Sequence, residues 1–85
     1  MTVDSRQLTE LQDAIDRLLD ARGEGKTICP SEAARSIGGD GWRDLMPAAR
    51  EAAARMAARG EVAVTQKGSE VNPLQARGPI RIGRR

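Results

Sequence analysis

Residues 41–60 decide the fold, and they read GWRDLMPAAREAAARMAARG. Their apolar positions recur every three or four residues: Trp42, Leu45, Ala49, Ala53, Met56 and Gly60. This spacing is typical of one helix face turned toward a core. Trp42 is the only aromatic residue of the chain. We therefore expect it to be the largest core side chain, packed against the first helix near Leu11 or Ile15.

Two residues set the limits of this helix. Pro47 would disrupt a helix interior at a cost of ~3 kcal/mol, so the sequence predicts a separate turn over residues 41–45 and a main helix that begins at Met46 or Pro47. Gly60 suits the left-handed conformation found at helix C-termini. The alternating residues that follow, 61–66, predict a strand.

A first helix is predicted over residues 5–22, before Gly23 and Gly25. Its apolar stripe consists of Leu8, Leu11, Ile15, Leu18 and Leu19. Asp4 is the expected N-cap, with Gln7 three residues later as in a capping box. The stripe lasts only two heptads, which favours core packing over a coiled coil.

A second helix is predicted to begin at Pro30, which fits the first helical position, and to end near Ile37. Cys29 precedes it as the cap, and Glu32 can accept a hydrogen bond from the Cys29 N–H. The short segment 26–29 is β-prone and predicts a strand before this helix.

The remaining segments complete the order of elements. The glycine-rich residues 38–41 predict a flexible break in which Asp40 caps the next helix. Residues 67–69 predict a turn after the first long strand. Residues 77–82 predict a second strand, with two isoleucines on one face and Arg81 on the other.

This order is helix, strand, helix, helix, strand, strand. It predicts a mainly α protein with a small β-hairpin, an α+β winged helix-turn-helix. We expect one domain over residues 5–83, with flexible ends at 1–4 and 84–85. The chain has 85 residues, and a chain of this length buries only about 60–65% of its extended surface. A core of small side chains therefore favours a dimer.

The composition limits the possible functions. The chain has no His and a single Cys29, which excludes a His/Cys metal site and an internal disulfide and fits a reducing cytoplasm. No apolar run reaches the ~20 residues of a membrane span, and no signal peptide is expected. Without a His base or a Ser/His or Cys/His pair, we predict no catalytic residue and no cofactor, and hence no enzyme. We expect Cys29 to be structural, although a helix N-terminus can activate a thiol.

The formal net charge of +2 hides a difference between the two halves of the chain. Residues 1–40 hold five basic and eight acidic side chains, a balance of −3, whereas residues 41–85 hold nine and four, a balance of +5. Such asymmetry is typical of a nucleic-acid-binding face, and equally of a solvated surface rich in Arg.

DNA or RNA is therefore one predicted partner. The predicted nucleic-acid contacts are Arg43, Arg50, Arg55, Lys67, Arg77 and Arg81. Arg84 and Arg85 would add a non-specific basic tail. As an alternative, Arg77 and Arg81 pair with Glu61 or Glu70 across the hairpin.

The outer face of the third helix favours phosphates over bases. A helical wheel centres this face on Pro47, Glu51, Ala54 and Ala58, none of which is an Asn, Gln, Lys or Arg that could read a base edge. The neighbouring arginines suit phosphates instead. A Pro/Ala strip also suits docking of another protein or a second copy, so a protein-interaction or dimerisation module is the alternative function.

Four motifs together resemble a family of small bacterial domains of unknown function. They are CPSEAAR at 29–35, WRxLMPxxR at 42–50, TQKG at 65–68 and RGPIR at 77–81. The resemblance covers roughly Ala14 to Ile82. It implies a winged-helix-like fold and a bacterial cytoplasmic protein, and it implies no activity.

Overall fold

The computed structural model describes residues 5–85. The predicted N-cap Asp4 and the predicted loose end at 1–4 lie outside these residues. The elements run α1 (Ser5–Arg22), β1 (Thr27–Ile28), α2 (Pro30–Gly38), a 3-10 helix (Gly39–Leu45), α3 (Met46–Ala58), β2 (Val62–Gln66), β3 (Ser69–Glu70) and β4 (Arg81–Arg84). The prediction of an α+β fold is confirmed; its β part is a small antiparallel sheet of four strands within residues 5–85 and not a single hairpin.

The last strand, β4, lies inside the sheet, whose strand order is β1-β4-β2-β3. All three pairings are antiparallel. Ile82 of β4 faces Ile28 of β1 on one side and Val64 of β2 on the other. Because all three are buried, they form the sheet's contribution to the core.

The core lies between this sheet face and the helices. It consists of residues from α1, α2, α3 and the sheet, among them Leu8, Leu11, Ala14, Ile15, Leu19, Ala33, Ala34, Ala48, Ala49, Ala52, Ala53 and Met56. The alanines carry little side chain, so α3 packs closely on α1. The predicted stripe of α1 is buried except for Leu18, which is partly buried. Within residues 5–85, no polar or charged side chain is buried.

The limits predicted for α3 are confirmed. The helix begins at Met46, after the separate 3-10 turn. At its end Gly60 has a φ of 77°. The Gly60 N–H donates to the Ala57 carbonyl at 3.0 Å, and the Glu61 N–H donates to the Met56 carbonyl at 3.0 Å. This pair of bonds is the Schellman motif, which turns the chain directly into β2.

The prediction that Trp42 fills the core is wrong. Trp42 lies in the 3-10 helix, is only partly buried, and packs against the edge of the core. The guanidinium carbons of Arg35 and Arg43 lie over its ring, 4.4 and 4.6 Å from the centroid. The physical reason is that the tight turn sets Trp42 beside α2, and aliphatic side chains fill the space between α1 and α3 instead.

Four further predictions are corrected. Residues 38–41 are not a break, because the chain passes from α2 straight into the 3-10 helix. Asp40 lies inside that helix, and α3 begins without a side-chain cap. The second strand begins at Arg81 and not at Arg77, and it extends to Arg84, which was predicted to belong to a flexible tail.

Candidate phosphate-binding site

A tight turn places Lys67 at the tip of the β2–β3 hairpin. Gln66 pairs with Ser69, so only Lys67 and Gly68 connect the strands. Their φ angles are 52° and 84°, and two positive φ values are characteristic of a type I′ turn, which matches the twist of a hairpin. The Lys67 side chain is therefore held on an exposed turn of fixed backbone geometry.

The segment before β4 is fastened beside this hairpin by Gln66. The Gln66 side-chain amide donates to the carbonyl of Arg77 and, at 3.2 Å, to that of Pro79. The result is a shallow cavity of about 560 Å³ lined by Gln66, Lys67, Arg77, Pro79 and Arg81. Three of these five side chains are cationic and none is acidic.

Arg81 is oriented by the neighbouring strand β1. Its Nε donates to the Thr27 hydroxyl at 2.9 Å, and its Nη2 donates to the Thr27 carbonyl at 3.1 Å. These bonds hold the exposed guanidinium across the pair of strands. They also cross-link two strands that are 54 residues apart in the chain.

The alternative pairing of Arg77 and Arg81 with Glu61 or Glu70 does not occur among residues 5–85. Glu61 accepts a hydrogen bond from Arg59 at 2.7 Å, and Glu70 is paired with Arg85. The bond from Arg59 lowers the pKa of Glu61. The carboxylates of Glu61 and Glu70 are thus occupied by other arginines. Within residues 5–85 Arg77 has no acidic partner, whereas the charge of Arg81 acts on the Glu32 carboxylate and helps to lower its pKa.

Arg50 has a different environment from the one predicted. It is partly buried, and its guanidinium donates to the backbone carbonyls of Pro73 at 3.1 Å, Ala76 at 2.8 Å and Gly78 at 2.7 Å. These bonds hold the loop between β3 and β4 against the start of α3. Arg50 does not line the cavity formed by the three cations.

The other two predicted contacts also lie outside this cavity. Arg43 is stacked on Trp42 in the 3-10 helix. Arg55 is exposed on α3, where its Nε lies 3.4 Å from a Glu51 carboxylate oxygen. Of the six predicted residues, the structure therefore brings together Lys67, Arg77 and Arg81.

Sequence reasoning missed the residues that build this site. Gln66 was predicted only as a strand residue, and Thr27 only as part of a β-prone segment. Both act on partners that are distant in the chain, and no local pattern signals such contacts. The position of Gln66 directly before the Lys67-Gly68 turn was the one available hint.

Arg84 lies away from this site and acts as a cross-link. Its Nη1 lies 2.7 Å from an Asp16 carboxylate oxygen and its Nη2 lies 2.7 Å from one of Asp20. The hydrogen bond to Asp16, followed by that to Asp20, raises the pKa of Arg84. Arg84 therefore ties β4 to α1 and is not part of a basic tail.

The cap predicted for α2 is confirmed. The Cys29 N–H donates to Glu32 at 2.9 Å, and Pro30 opens the helix. Burial of the Glu32 carboxylate opposes its ionisation, but the bonds from Cys29 and Arg22 outweigh this and lower its pKa below the ordinary 4.5. The Cys29 sulfur lies 2.8 Å from the Ser31 hydroxyl.

Residues 5–85 contain no group of three or more His, Cys, Asp and Glu side chains placed to hold a metal ion. None of the helices in the same range is long and apolar enough to cross a membrane.

Fold and site together define a small α+β domain with an exposed basic cavity beside its sheet. The family described as Protein of unknown function (DUF3253) matches residues 8–85, and the chain belongs to this family. No curated protein matches the chain. This match confirms the resemblance to a family of small domains of unknown function.

Proposed function

We propose that the protein binds nucleic acid, mainly through phosphates, at the cavity lined by Lys67, Arg77 and Arg81. The observation that supports this proposal is the convergence of three cations on one concave surface whose described lining contains no carboxylate. A guanidinium can donate two parallel hydrogen bonds to a phosphate, and an ammonium adds a mobile point charge. In this proposal the protein is a cytoplasmic binding protein and not an enzyme.

The scaffold in this proposal is a variant winged helix. The order of α1, β1, α2, α3 and the strands that follow supports it, as does the pairing of β1 with β4. The β2–β3 turn and the segment before β4 then correspond to the wing. The wing would contact the phosphate backbone, as in other proteins of this class.

The proposed binding does not depend on base sequence. The exposed positions of α3 are Pro47, Arg55 and Ala58. Pro47 and Ala58 offer no side-chain donor or acceptor to base edges, and Arg55 lies beside the Glu51 carboxylate. Arg50, near the start of α3, donates to the loop carbonyls instead. Contacts that position a protein on phosphates carry no sequence information of their own.

Fluorescence anisotropy with a labelled duplex and a labelled single-stranded RNA tests the proposal. The variant Lys67→Gln/Arg77→Gln removes two exposed charges from the cavity, and Arg17→Gln/Lys26→Gln removes two exposed charges elsewhere. At about 50 mM salt, we expect the first variant to lose about tenfold in affinity per phosphate contact, and its salt slope to fall by about 0.9 per contact. The control variant should bind like the parent.

Equal binding by the two variants would contradict the proposed site. If the parent itself binds neither nucleic acid at about 50 mM salt, nucleic-acid binding is rejected altogether. The alternative, an interaction or dimerisation module, would then take its place.

A further inference from the structure

A second cavity lies between the start of α3 and the loop that joins β3 to β4. Its volume is about 530 Å³. Its apolar lining consists of Met46, Pro47, Pro73, Leu74 and Ala76. Leu74 is 55% exposed and is the one large hydrophobic side chain in residues 5–85 that is exposed to this degree. An apolar surface of this kind commonly marks a binding site.

The loop side of this cavity is fixed by hydrogen bonds. The Leu74 N–H donates to the Asn72 side-chain oxygen at 2.9 Å, and the Ala76 N–H donates to the Asn72 carbonyl at 2.9 Å. Arg50 donates to carbonyls at both ends of the same loop, those of Pro73 and Gly78. The cavity is thus preformed, as small-molecule sites usually are.

The polar part of the lining is positively charged. Arg50 and Arg77 line the cavity, and the lining given by residues 5–85 contains no Asp or Glu. An Arg carries more N–H donors than the three bonds made by Arg50 use. The Arg77 guanidinium makes no hydrogen bond to any other described residue. The cavity therefore combines an apolar wall with two guanidinium groups that keep N–H donors not used by any described residue.

We infer that this cavity binds a small organic anion, a carboxylate with an apolar body. The carboxylate would accept hydrogen bonds from Arg77 and Arg50, and the apolar body would lie against Leu74, Met46 and Pro47. A volume of about 530 Å³ is in the range of small-molecule sites. An inorganic anion would leave the apolar wall in water, and a neutral apolar molecule would make no use of the Arg77 guanidinium or of the Arg50 donors that the loop carbonyls leave over.

Arg77 lines both this cavity and the basic cavity beside it. A carboxylate on Arg77 would compete with a phosphate for the same donors. Organic anions would therefore weaken nucleic-acid binding, a consequence that rests on the proposed function. The binding of the anion itself does not depend on it.

An NMR titration of the free protein, with amide resonances assigned, tests the inference. The probes are decanoate, decanol and acetate, at constant ionic strength. We expect decanoate to shift resonances of residues 73–78 and of the start of α3. Decanol should bind there about tenfold more weakly, because it lacks a charge-assisted bond. Acetate should cause no shift there, since it lacks the apolar body.

Variants separate the role of charge from that of shape. Arg77→Gln should reduce decanoate affinity about tenfold while leaving decanol affinity unchanged. Arg55→Gln, which alters an exposed arginine outside the cavity, should change neither the decanoate affinity nor the decanol affinity. Without nucleic acid in the sample, a failure of the proposed function would leave these results unaffected.

Four outcomes would overturn the inference. The first is that decanoate shifts no resonances at this cavity, and the second is that decanoate and decanol bind with equal affinity. The third is that acetate binds as tightly as decanoate. The fourth is that decanoate shifts resonances over the whole chain, as a detergent that unfolds the protein would. Sedimentation equilibrium adds a fifth outcome. If the protein is a dimer that Leu74→Ser converts to a monomer, the cavity is filled by a second copy.

Discussion

Two groups of basic side chains differ in what surrounds them. Arg22, Arg59 and Arg84 each lie against a carboxylate. The cations around the basic cavity, Lys67 and Arg77 in particular, have no carboxylate in its described lining. A count of charges along the chain does not separate these groups. The availability of a cation to a ligand is set by the partners that the fold gives it.

Arg50 belongs to neither group. It donates to three backbone carbonyls and holds a loop in place, so its charge serves the fold. The same residue type thus cross-links elements, fixes a loop or remains open to ligands. Substitution of individual arginines should separate these roles, because each role predicts a different change in the free energy of unfolding or in ligand affinity.

The largest effect is expected for Arg50→Ala. Hydrogen bonds from charged groups are worth about 1.5–3 kcal/mol each when buried, and partial exposure reduces this, so we expect a loss of about 2–4 kcal/mol in the free energy of unfolding. Urea denaturation measures it, and limited proteolysis should show cleavage within residues 71–79. Arg55→Ala is the control, with a change below about 0.5 kcal/mol. Equal midpoints for the two variants would show that Arg50 does not hold the loop.

A smaller effect is expected for Arg84→Gln. Exposed ion pairs contribute about 0.2–1 kcal/mol, and Arg84 contacts both Asp16 and Asp20. We expect a loss of about 0.5–1 kcal/mol in unfolding free energy at low salt. Arg77→Gln, which removes a cation that has no carboxylate partner within the described residues, should leave stability unchanged.

Thermal unfolding at two salt concentrations checks this difference. Because salt screens exposed pairs, the gap between the Arg84 and Arg77 variants should shrink at about 0.5 M NaCl. If the two variants have the same melting temperature at low salt, the cross-link between β4 and α1 makes no measurable contribution to stability.

The smallest effect is expected for Glu32→Gln, and it depends on pH. The pKa of Glu32 is lowered in the folded protein relative to 4.5. Its contribution is therefore fully present above that value and is lost as the pH falls through the lowered pKa. At neutral pH we expect the variant to be less stable by under about 1 kcal/mol, because the carboxylate is partly screened by solvent.

Urea denaturation across a pH series tests this expectation. The difference between the parent and Glu32→Gln should vanish in acid, when the parent carboxyl is also neutral. Glu24→Gln is the control, since the exposed Glu24 accepts no hydrogen bond from residues 5–85. A difference that persists unchanged into acid would mean that the ionised carboxylate is not what stabilises the cap.

Local signals predicted the helices well. Pro30 with Cys29 and Glu32 located the start of α2, and Gly60 located the end of α3, because caps and breakers act within one or two turns. Pro47 predicted a separate turn over residues 41–45, but neither Pro47 nor helical periodicity shows where such a turn places its side chains, so Trp42 was assigned to the wrong environment.

The candidate site could be predicted only in part. Lys67, Arg77 and Arg81 could be chosen as cations of the site, since they lie in or beside the predicted strands and turn. The hydrogen-bond partners that position the arginines could not be predicted. The bonds of Arg50 reach 23 to 28 residues along the chain and those of Arg81 reach 54. Such contacts are set by tertiary packing, on which local periodicity carries no information.

The inner position of β4 has a consequence for the order of folding. The contacts of α1, α2 and the 3-10 helix join residues close in sequence, and such contacts form early. Among residues 5–85, β1 pairs with β4 and with no other strand, so it has no partner in the sheet until residues 81–84 have been synthesised. On the ribosome, the helical half can therefore collapse first, while Ile28 stays without its strand neighbour until the last strand leaves the exit tunnel.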